Sequence, residues 1–370
     1  MTDISVLCYL SGIFIACFSA FLILGKKKKQ AADYILAAWF FVIALHLTFF
    51  VSFLSGTYNN FPHILGLEIP FPLMHGPILY FYTLCLTAQH PSKGSFLLHL
   101  APAIIVYVLL FRFFLLSPQE KIYIYQHGGG TYRMLRQAIM IAIVLSGILY
   151  VMLSFLATRK YKKSIAEQDS NTEKINLDWL NYLIAGIAMI WVAVIVKNDV
   201  LIFTLVELFI LTAEYFGISR AGILKIAEKA KSDGGKMSVE QAVKYEKNSK
   251  SEDIIHDVYE RLEHLMVAEK LYKDPELTLS YVASSLQVHP NTLSQTINSM
   301  EEKNFYEYIN RQRIDEFKQI AILPKNQKFT ILTLAFESGF NSKTSFNRNF
   351  KKYANCSPRE YLKSQNVYLH

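Results

Sequence analysis

Charge density doubles at one point in this chain. Up to Gly217 the chain holds 26 Asp, Glu, Lys and Arg in 217 residues, and from Ile218 onward it holds 42 in 153. Those fractions are about 12% and about 27%, against about 25% for an ordinary soluble domain. The first part is too poor in charge for a surface facing water, and the second is unremarkable. One soluble domain is excluded, and so is a protein embedded in lipid throughout. With 26 Phe, 22 Tyr and 3 Trp, intrinsic disorder is excluded as well.

A bilayer core of about 30 Å is crossed by about 20 apolar residues in a helix. Seven segments of the first part meet that length: Ile4–Leu24, Tyr34–Ser55, Ile64–Leu86, Phe96–Leu116, Gln137–Thr158, Trp179–Val196 and Val200–Gly217. The third carries Glu68, Pro70, Pro72 and Pro77, and only Lys197-Asn198-Asp199 separates the last two. Six spans is therefore the alternative. The first segment follows Met1-Thr2-Asp3, which lacks the basic residues of a signal peptide, and precedes Lys26–Lys29; it reads as a retained anchor. Odd-numbered loops carry ten Lys and Arg and even-numbered loops four. That bias puts the N-terminus outside and the C-terminal part in the cytoplasm.

Ionisable residues inside spans deserve a functional reading. They are His46, Glu68, His75, His99, Arg112, Glu207 and Glu214. His75 precedes Gly76-Pro77, and Pro102 follows His99 by one turn. A His beside a proline-broken turn can line a polar cavity, which makes His75 and His99 the candidate ligand-sensing pair. Hydrogen bonding between helices is the competing role. No HExxH stretch, clustered His/Asp set or nucleophile elbow occurs, so the sequence offers no enzyme machinery. Cys8, Cys17, Cys85 and Cys356 lack zinc-ligand spacing. No metal or cofactor is expected.

Residues 218–252 read as a tether. They are basic to about Lys231, as a segment lying against anionic headgroups would be, and are broken by Ser232-Asp233-Gly234-Gly235.

Residues 253–370 have the size of one compact domain with an internal repeat. Val282/Leu334, Ala283/Ala335 and Val288/Phe340 match at an offset of 52, and Leu293/Phe346 and Ile297/Phe350 at 53. Each unit, 279–300 and 331–353, reads as a short helix, a tight turn and a second helix, the helix-turn-helix pattern. Pro290 suits a first helical position, Gly339 a left-handed helix end, and Ser342 an N-cap.

Helical spacing assigns the faces. With Leu293 and Ile297 turned inward, Asn291, Gln295 and Asn298 turn outward; with Phe346 and Phe350 inward, Thr344, Arg348 and Lys351 turn outward. Asn and Gln bond adenine edges bidentately, and Arg bonds guanine. Thr292 and Asn347 lie beside these residues, and Lys343 and Lys352 flank the second face for phosphates. From Lys303 to His370 there are 12 Lys and Arg against 5 Asp and Glu, the charge balance expected of a phosphate-contacting surface.

The run Ala335-Phe-Glu-Ser-Gly-Phe-Asn-Ser-Lys-Thr-Ser-Phe-Asn-Arg-Asn-Phe-Lys-Lys, followed by Ser357-Pro-Arg-Glu-Tyr361, resembles the signature of the AraC/XylS transcription regulators. The resemblance covers about 110 residues, Ile254 to Tyr361. It implies two helix-turn-helix units joined by a long helix, here about Phe305–Ile322 with Arg311 and Arg313, that place recognition helices in successive major grooves. It also implies a homodimer on paired sites. Asn355-Cys356 stands where the family usually has a Gly, and Gln295 where an Arg is common. Gly76-Pro-Ile-Leu-Tyr-Phe-Tyr82 and His99-Leu-Ala-Pro102 are similar to seven-span regions fused to such domains in Bacteroidetes proteins, which implies a sensory role.

The expectation is an all-α chain: a polytopic transmembrane bundle over 1–217, a linker over 218–252 and an AraC-type DNA-binding domain over 253–370. Its partners are double-stranded DNA, the lipid bilayer of the cytoplasmic membrane and an unidentified small-molecule or membrane signal. Two competing classes exist: a transporter or membrane enzyme with a regulatory DNA-binding tail, and a receptor that acts through a partner protein. The first would carry a midplane cluster of ionisable residues or paired half-helices, and neither is evident in 1–217.

Overall fold

A computed structural model describes residues 2–87, 89, 93–171, 177–196, 198–219 and 250–367. Most of the expected tether, 220–249, lies outside them. The regular elements among the described residues are all helical. They fall into two compact units, the first made of 2–160 and 177–219, the second of 161–171 and 250–367. The division differs from the one drawn at Gly217, because a short stretch between two apolar helices belongs with the C-terminal unit.

The first unit holds α1 (Thr2–Leu24), α2 (Ala31–Leu54), α3 (Pro72–Leu86), α4 (Lys93–Leu109), α5 (Phe111–Phe114), α6 (Pro118–Gln126), most of α7 (Arg133–Gln168), α8 (Asp178–Val196) and α9 (Asp199–Ser219). α1 packs along α2 and α9, and α8 along α9. Lys26 ties three helix ends together: its ammonium pairs with Asp33 at the start of α2 and donates to the Gly217 carbonyl of α9 (2.9 Å). Two of the carboxylates inside expected spans are held by serines of α1. Ser11 donates to Glu207 (3.2 Å) and Ser19 to Glu214 (2.6 Å). Helix-bridging hydrogen bonds of this kind satisfy polar groups in apolar surroundings.

Among the described residues four helices are long and apolar enough to cross a membrane: Ala31–Leu54, Gly130–Gln168, Asp178–Val196 and Leu201–Ser219. The apolar stretches Tyr9–Leu24 and Gly94–Leu109 are shorter. The third expected span is helical only from Pro72. Its 15 residues rise about 22 Å at 1.5 Å each, short of a bilayer core. Gly66, at φ 91°, and Pro70 and Pro72 keep the preceding residues in turns. The fourth breaks between α4 and α5. On α7, Ile141, Leu145, Ile148, Met152 and Leu156 are all exposed, an apolar stripe that a soluble surface rarely presents.

The second unit holds α10 (Lys250–Glu269), α11 (Leu279–Ser285), α12 (Pro290–Glu301), α13 (Phe305–Ala321), α14 (Ile331–Glu337), α15 (Lys343–Ala354) and α16 (Pro358–Ser364). α13 starts in a capping box, Asn304 with Glu307, and serves two cores. Its first half supplies Phe305, Tyr308 and Ile309 to a cluster with Leu262, Val282 and Leu293. Its second half supplies Ile314, Phe317 and Ala321 to a cluster with Leu334, Phe346 and Phe350. One helix thus carries both helix pairs in fixed register.

Candidate nucleic-acid interface

The two helix pairs are built alike. Thr278 caps α11 by accepting from the Tyr281 N–H, and Thr330 caps α14 by accepting from the Thr333 N–H. In the first turn the Val288 N–H donates to the Ala283 carbonyl (2.9 Å), and in the second Phe340 donates to Ala335 (3.1 Å). Ala283 and Ala335 are fully buried, as are Leu293, Ile297, Phe346 and Phe350. Val288 is partly buried against the first core, and Phe340 is buried in the second.

Both turns pass through the left-handed region, at Gln287 (φ 56°) and at Gly339 (φ 98°). Gly339 has a second reason to lack a side chain. A Cβ there would lie 2.4 Å from the Tyr272 carbonyl oxygen. Asn355, where the family usually has glycine, ends α15 in the left-handed conformation (φ 54°) with its N–H on the Lys351 carbonyl. Asn is among the few residues that adopt it readily.

The second helix of each pair starts differently. Ser342 caps α15 through the Ser345 N–H (3.1 Å). α12 begins with Pro290 at its first position, and the His289 ring Nδ1 accepts from the Asn291 N–H (3.2 Å). His289 was not legible as a cap, because imidazole is not among the usual capping groups.

With these starts fixed, the outward faces follow. Asn291, Gln295 and Asn298 are exposed on α12, and Thr292 is half-buried beside them. On α15, Lys343, Thr344, Asn347, Arg348, Lys351 and Lys352 are all exposed. Two helices with buried apolar stripes, held by one connecting helix, therefore turn polar faces to solvent. The second face carries four cations.

Residues 282–364 match a family described as a helix-turn-helix domain. Residues 282–364 thus form an AraC-type helix-turn-helix domain. No curated protein and no solved structure matches the chain.

Residues outside the recognition helices shape the face of the AraC-type domain. Tyr306, in the first turn of α13, accepts from Arg348 Nη2 and from Asn349 Nδ2, each at 2.8 Å. Arg348 is thereby exposed but anchored through one nitrogen of its guanidinium. Glu307 accepts from Lys352 Nζ (2.5 Å). Burial would raise the Glu307 carboxyl, but the Lys352 hydrogen bond and charge hold it below the usual range. Lys352 thus enters as half of an ion pair. The spacing of α15 could not reveal either partner, since both lie more than 40 residues away on another helix.

Beneath this face lies a buried polar cluster. Glu316 accepts from Lys270 (2.9 Å), Lys273 (2.7 Å) and the Tyr272 hydroxyl (2.9 Å). Burial opposes the charge of Glu316, and its three donors win, leaving its carboxyl below the usual range. The Arg313 side chain is buried; Nε donates to the Tyr272 carbonyl and Nη2 to the Asp274 carbonyl, both at 2.7 Å. Burial brings its guanidinium down to about 10, against the opposing charge of Asp274. Arg313 consequently does not face DNA. It braces the link between the two helix pairs.

The two candidate sensing histidines sit in different settings of the first unit. Trp39 Nε1 donates to His75 Nδ1 (3.1 Å), and His75 Nε2 lies 3.1 Å from His46 Nδ1. His75 and His46 line an apolar cavity of about 330 Å³, and His46 also lines a second one of about 380 Å³ with Glu68 and Arg136. His99 lines neither cavity; its Nδ1 lies 2.8 Å from the Tyr150 hydroxyl. No group of three or more potential metal ligands occurs among the described residues.

Proposed function

We propose that this chain is a membrane-anchored transcription regulator whose AraC-type domain binds double-stranded DNA through α12 and α15. The observation that carries the reading is the pair of polar faces, Asn291/Gln295/Asn298 and Thr344/Arg348/Lys351, on helices with the same turn geometry in a chain that also holds long apolar helices. Arg348 reads a guanine edge, Asn and Gln of α12 read adenine edges, and Lys343 and Lys351 meet phosphates. The anchor is the polytopic first unit in the cytoplasmic membrane, with the N-terminus outside and the DNA-binding domain in the cytoplasm. The apolar stripe of α7 and the basic loop bias support it. Two copies bind paired sites.

The signal is a small apolar molecule, from the bilayer or from outside, that enters the cavity beside His46 and His75. The Trp39 donation fixes the acceptor on His75 Nδ1, so in the neutral relay His75 Nε2 donates to His46 and His46 Nε2 keeps a proton to donate. A ligand with one hydrogen-bond acceptor on an apolar frame fits that arrangement. His99 bridges α4 and α7 through Tyr150.

The test has two arms. The full chain should stay with membranes after an alkaline wash. In nanodiscs it should select one sequence from random duplexes, and Arg348→Ala should lose that selection. Extraction by the wash would contradict the anchor, and unchanged selection by the variant would contradict the recognition face.

A further inference from the structure

The end of α7 and the residues just after it belong to the second unit, and Ser170 is their anchor. Ser170 is fully buried. Its N–H (3.2 Å) and its hydroxyl (2.7 Å) both donate to the Leu277 carbonyl. Its own carbonyl accepts from Asn310 Nδ2 (3.1 Å) and Arg313 Nη1 (3.3 Å), and its hydroxyl oxygen accepts from Arg313 Nη2 (3.0 Å). Asp169 pairs with Thr278, the cap of α11, in an isolated antiparallel bridge. Five hydrogen bonds on one small residue, two of them from a buried guanidinium, make a built socket. Charge-assisted bonds of this kind are the stronger class.

The socket holds the segment against the first helix pair. One turn before Ser170, Glu167 lines an open crevice whose other walls are Asn291, Ser294, Gln295, Asn298 and Ser299 of α12. Those include all three residues of α12 assigned to base edges. A major groove is about 12 Å wide and admits one helix of about 10–12 Å diameter. α12 with a second helix end beside it does not fit. Glu167 would also bring a carboxylate toward phosphates.

We propose that residues 161–171 and DNA compete for the first helix-turn-helix unit, so that the loop between two apolar helices is an intramolecular partner of the DNA-binding domain. The inference rests on α12 meeting DNA. Release of Ser170 from its socket uncovers α12 while leaving Arg313 bound to the Tyr272 and Asp274 carbonyls, so the domain keeps its internal brace. Because α7 is also part of the first unit, displacement of that helix reaches the recognition face without passing through the 218–252 tether.

Two variants of the full chain in nanodiscs test this, with a pool of random-sequence duplexes at low salt as the probe. Bridge partners lie about 4.5–5.5 Å apart at Cα, within disulfide reach, so D169C with T278C can lock the segment in place. Oxidation should weaken DNA binding at least about fivefold, the low end of coupling between sites, and reduction of the same sample should restore it. The wild-type chain, oxidised in parallel, controls for its own cysteines. S170R sets a cation against Arg313 and should undock the segment, tightening binding at least about fivefold. Equal binding by the oxidised and reduced forms would overturn the proposal. So would weaker binding by S170R, which would mean that Lys162 and Lys163 help to hold DNA. Arg348→Ala in the reduced protein separates the two readings: if it weakens binding while the crosslink does nothing, only the competition fails.

Discussion

α12 carries no Lys or Arg, whereas α15 carries Lys343, Arg348, Lys351 and Lys352, although the turns before them share an alanine carbonyl acceptor and a left-handed residue at the matching position. The backbone was repeated and the chemistry was divided. In the proposed reading, cations on α15 supply the salt-dependent attraction that brings a basic domain to DNA. The amides on α12 would then add discrimination without adding attraction. A surface with little attraction of its own is also the easier one to cover, and α12 is the one beside Glu167. The difference teaches that two copies of one motif can serve as a clamp and as a gate.

The largest expected effect breaks the symmetry of the turns. Gly339→Ala sets a Cβ against the Tyr272 carbonyl at a left-handed position, and should destabilise the α14–α15 pair by at least about 2 kcal/mol. Hydrogen exchange of the α15 amides would then speed up about thirtyfold or more. Gln287→Gly at the matching turn should leave the α12 amides nearly unchanged, because Gln287 already adopts φ 56°. Equal sensitivity of both turns would mean that the second is not tighter than the first.

The next effect is on recognition. Arg348→Ala removes a guanine-reading side chain worth about 1–3 kcal/mol, so affinity for a selected site should fall about five- to 150-fold in a filter or anisotropy assay. Tyr306→Phe removes only the brace on Arg348 and Asn349, and should fall between wild type and that variant. Gln295→Arg tests the division of labour. It should add about one to the slope of log affinity against log salt; an unchanged slope would mean that position 295 does not approach the backbone.

The smallest effect concerns the docked segment. Burial pushes the Asp169 carboxyl up to about 6, above its ordinary value. The docked state is therefore fully favoured only when Asp169 is protonated, and it weakens as pH rises through about 6. Asp169→Asn should hold the segment down at pH 7.5 and lower DNA affinity a few-fold there, with the difference narrowing below pH 6 and closing toward pH 4. The same deficit at both pH values would assign the effect to lost shape and not to charge.

Much of this was legible because it is local. The offsets of 52 and 53 predict two turns of one kind, the second a residue longer, and the helix ends bear this out, with 286–289 in the first and 338–342 in the second. Ser342, Pro290 and Gly339 announce their positions by their own backbone preferences, and spacing from Leu293 and Phe346 separates inward from outward residues. What escaped is long-range or depends on a break. Ser170 sits 143 residues from Arg313, and nothing in a window around either residue signals the other. Tyr306 and Glu307 read as ordinary first-turn residues until α15 is laid across them. The prolines of the third apolar segment are plain in the sequence, but not that they and Gly66 hold the α-helix back to Pro72, since proline is tolerated inside a span. His75 and His99 looked equivalent beside their prolines. His75 borders the cavity that Trp39 and His46 of α2 also line, and His99 bonds Tyr150 away from it.

The central claim is that two helix-turn-helix units of one membrane-anchored chain read adjacent turns of a duplex. Hydroxyl-radical footprinting of the selected site with the full chain in nanodiscs tests it most directly. The account predicts two protected patches on one face of the DNA, about 10 base pairs apart, with Arg348→Ala erasing one and Asn291→Ala with Gln295→Ala weakening the other. A single patch, or two that Arg348→Ala leaves intact, would contradict it.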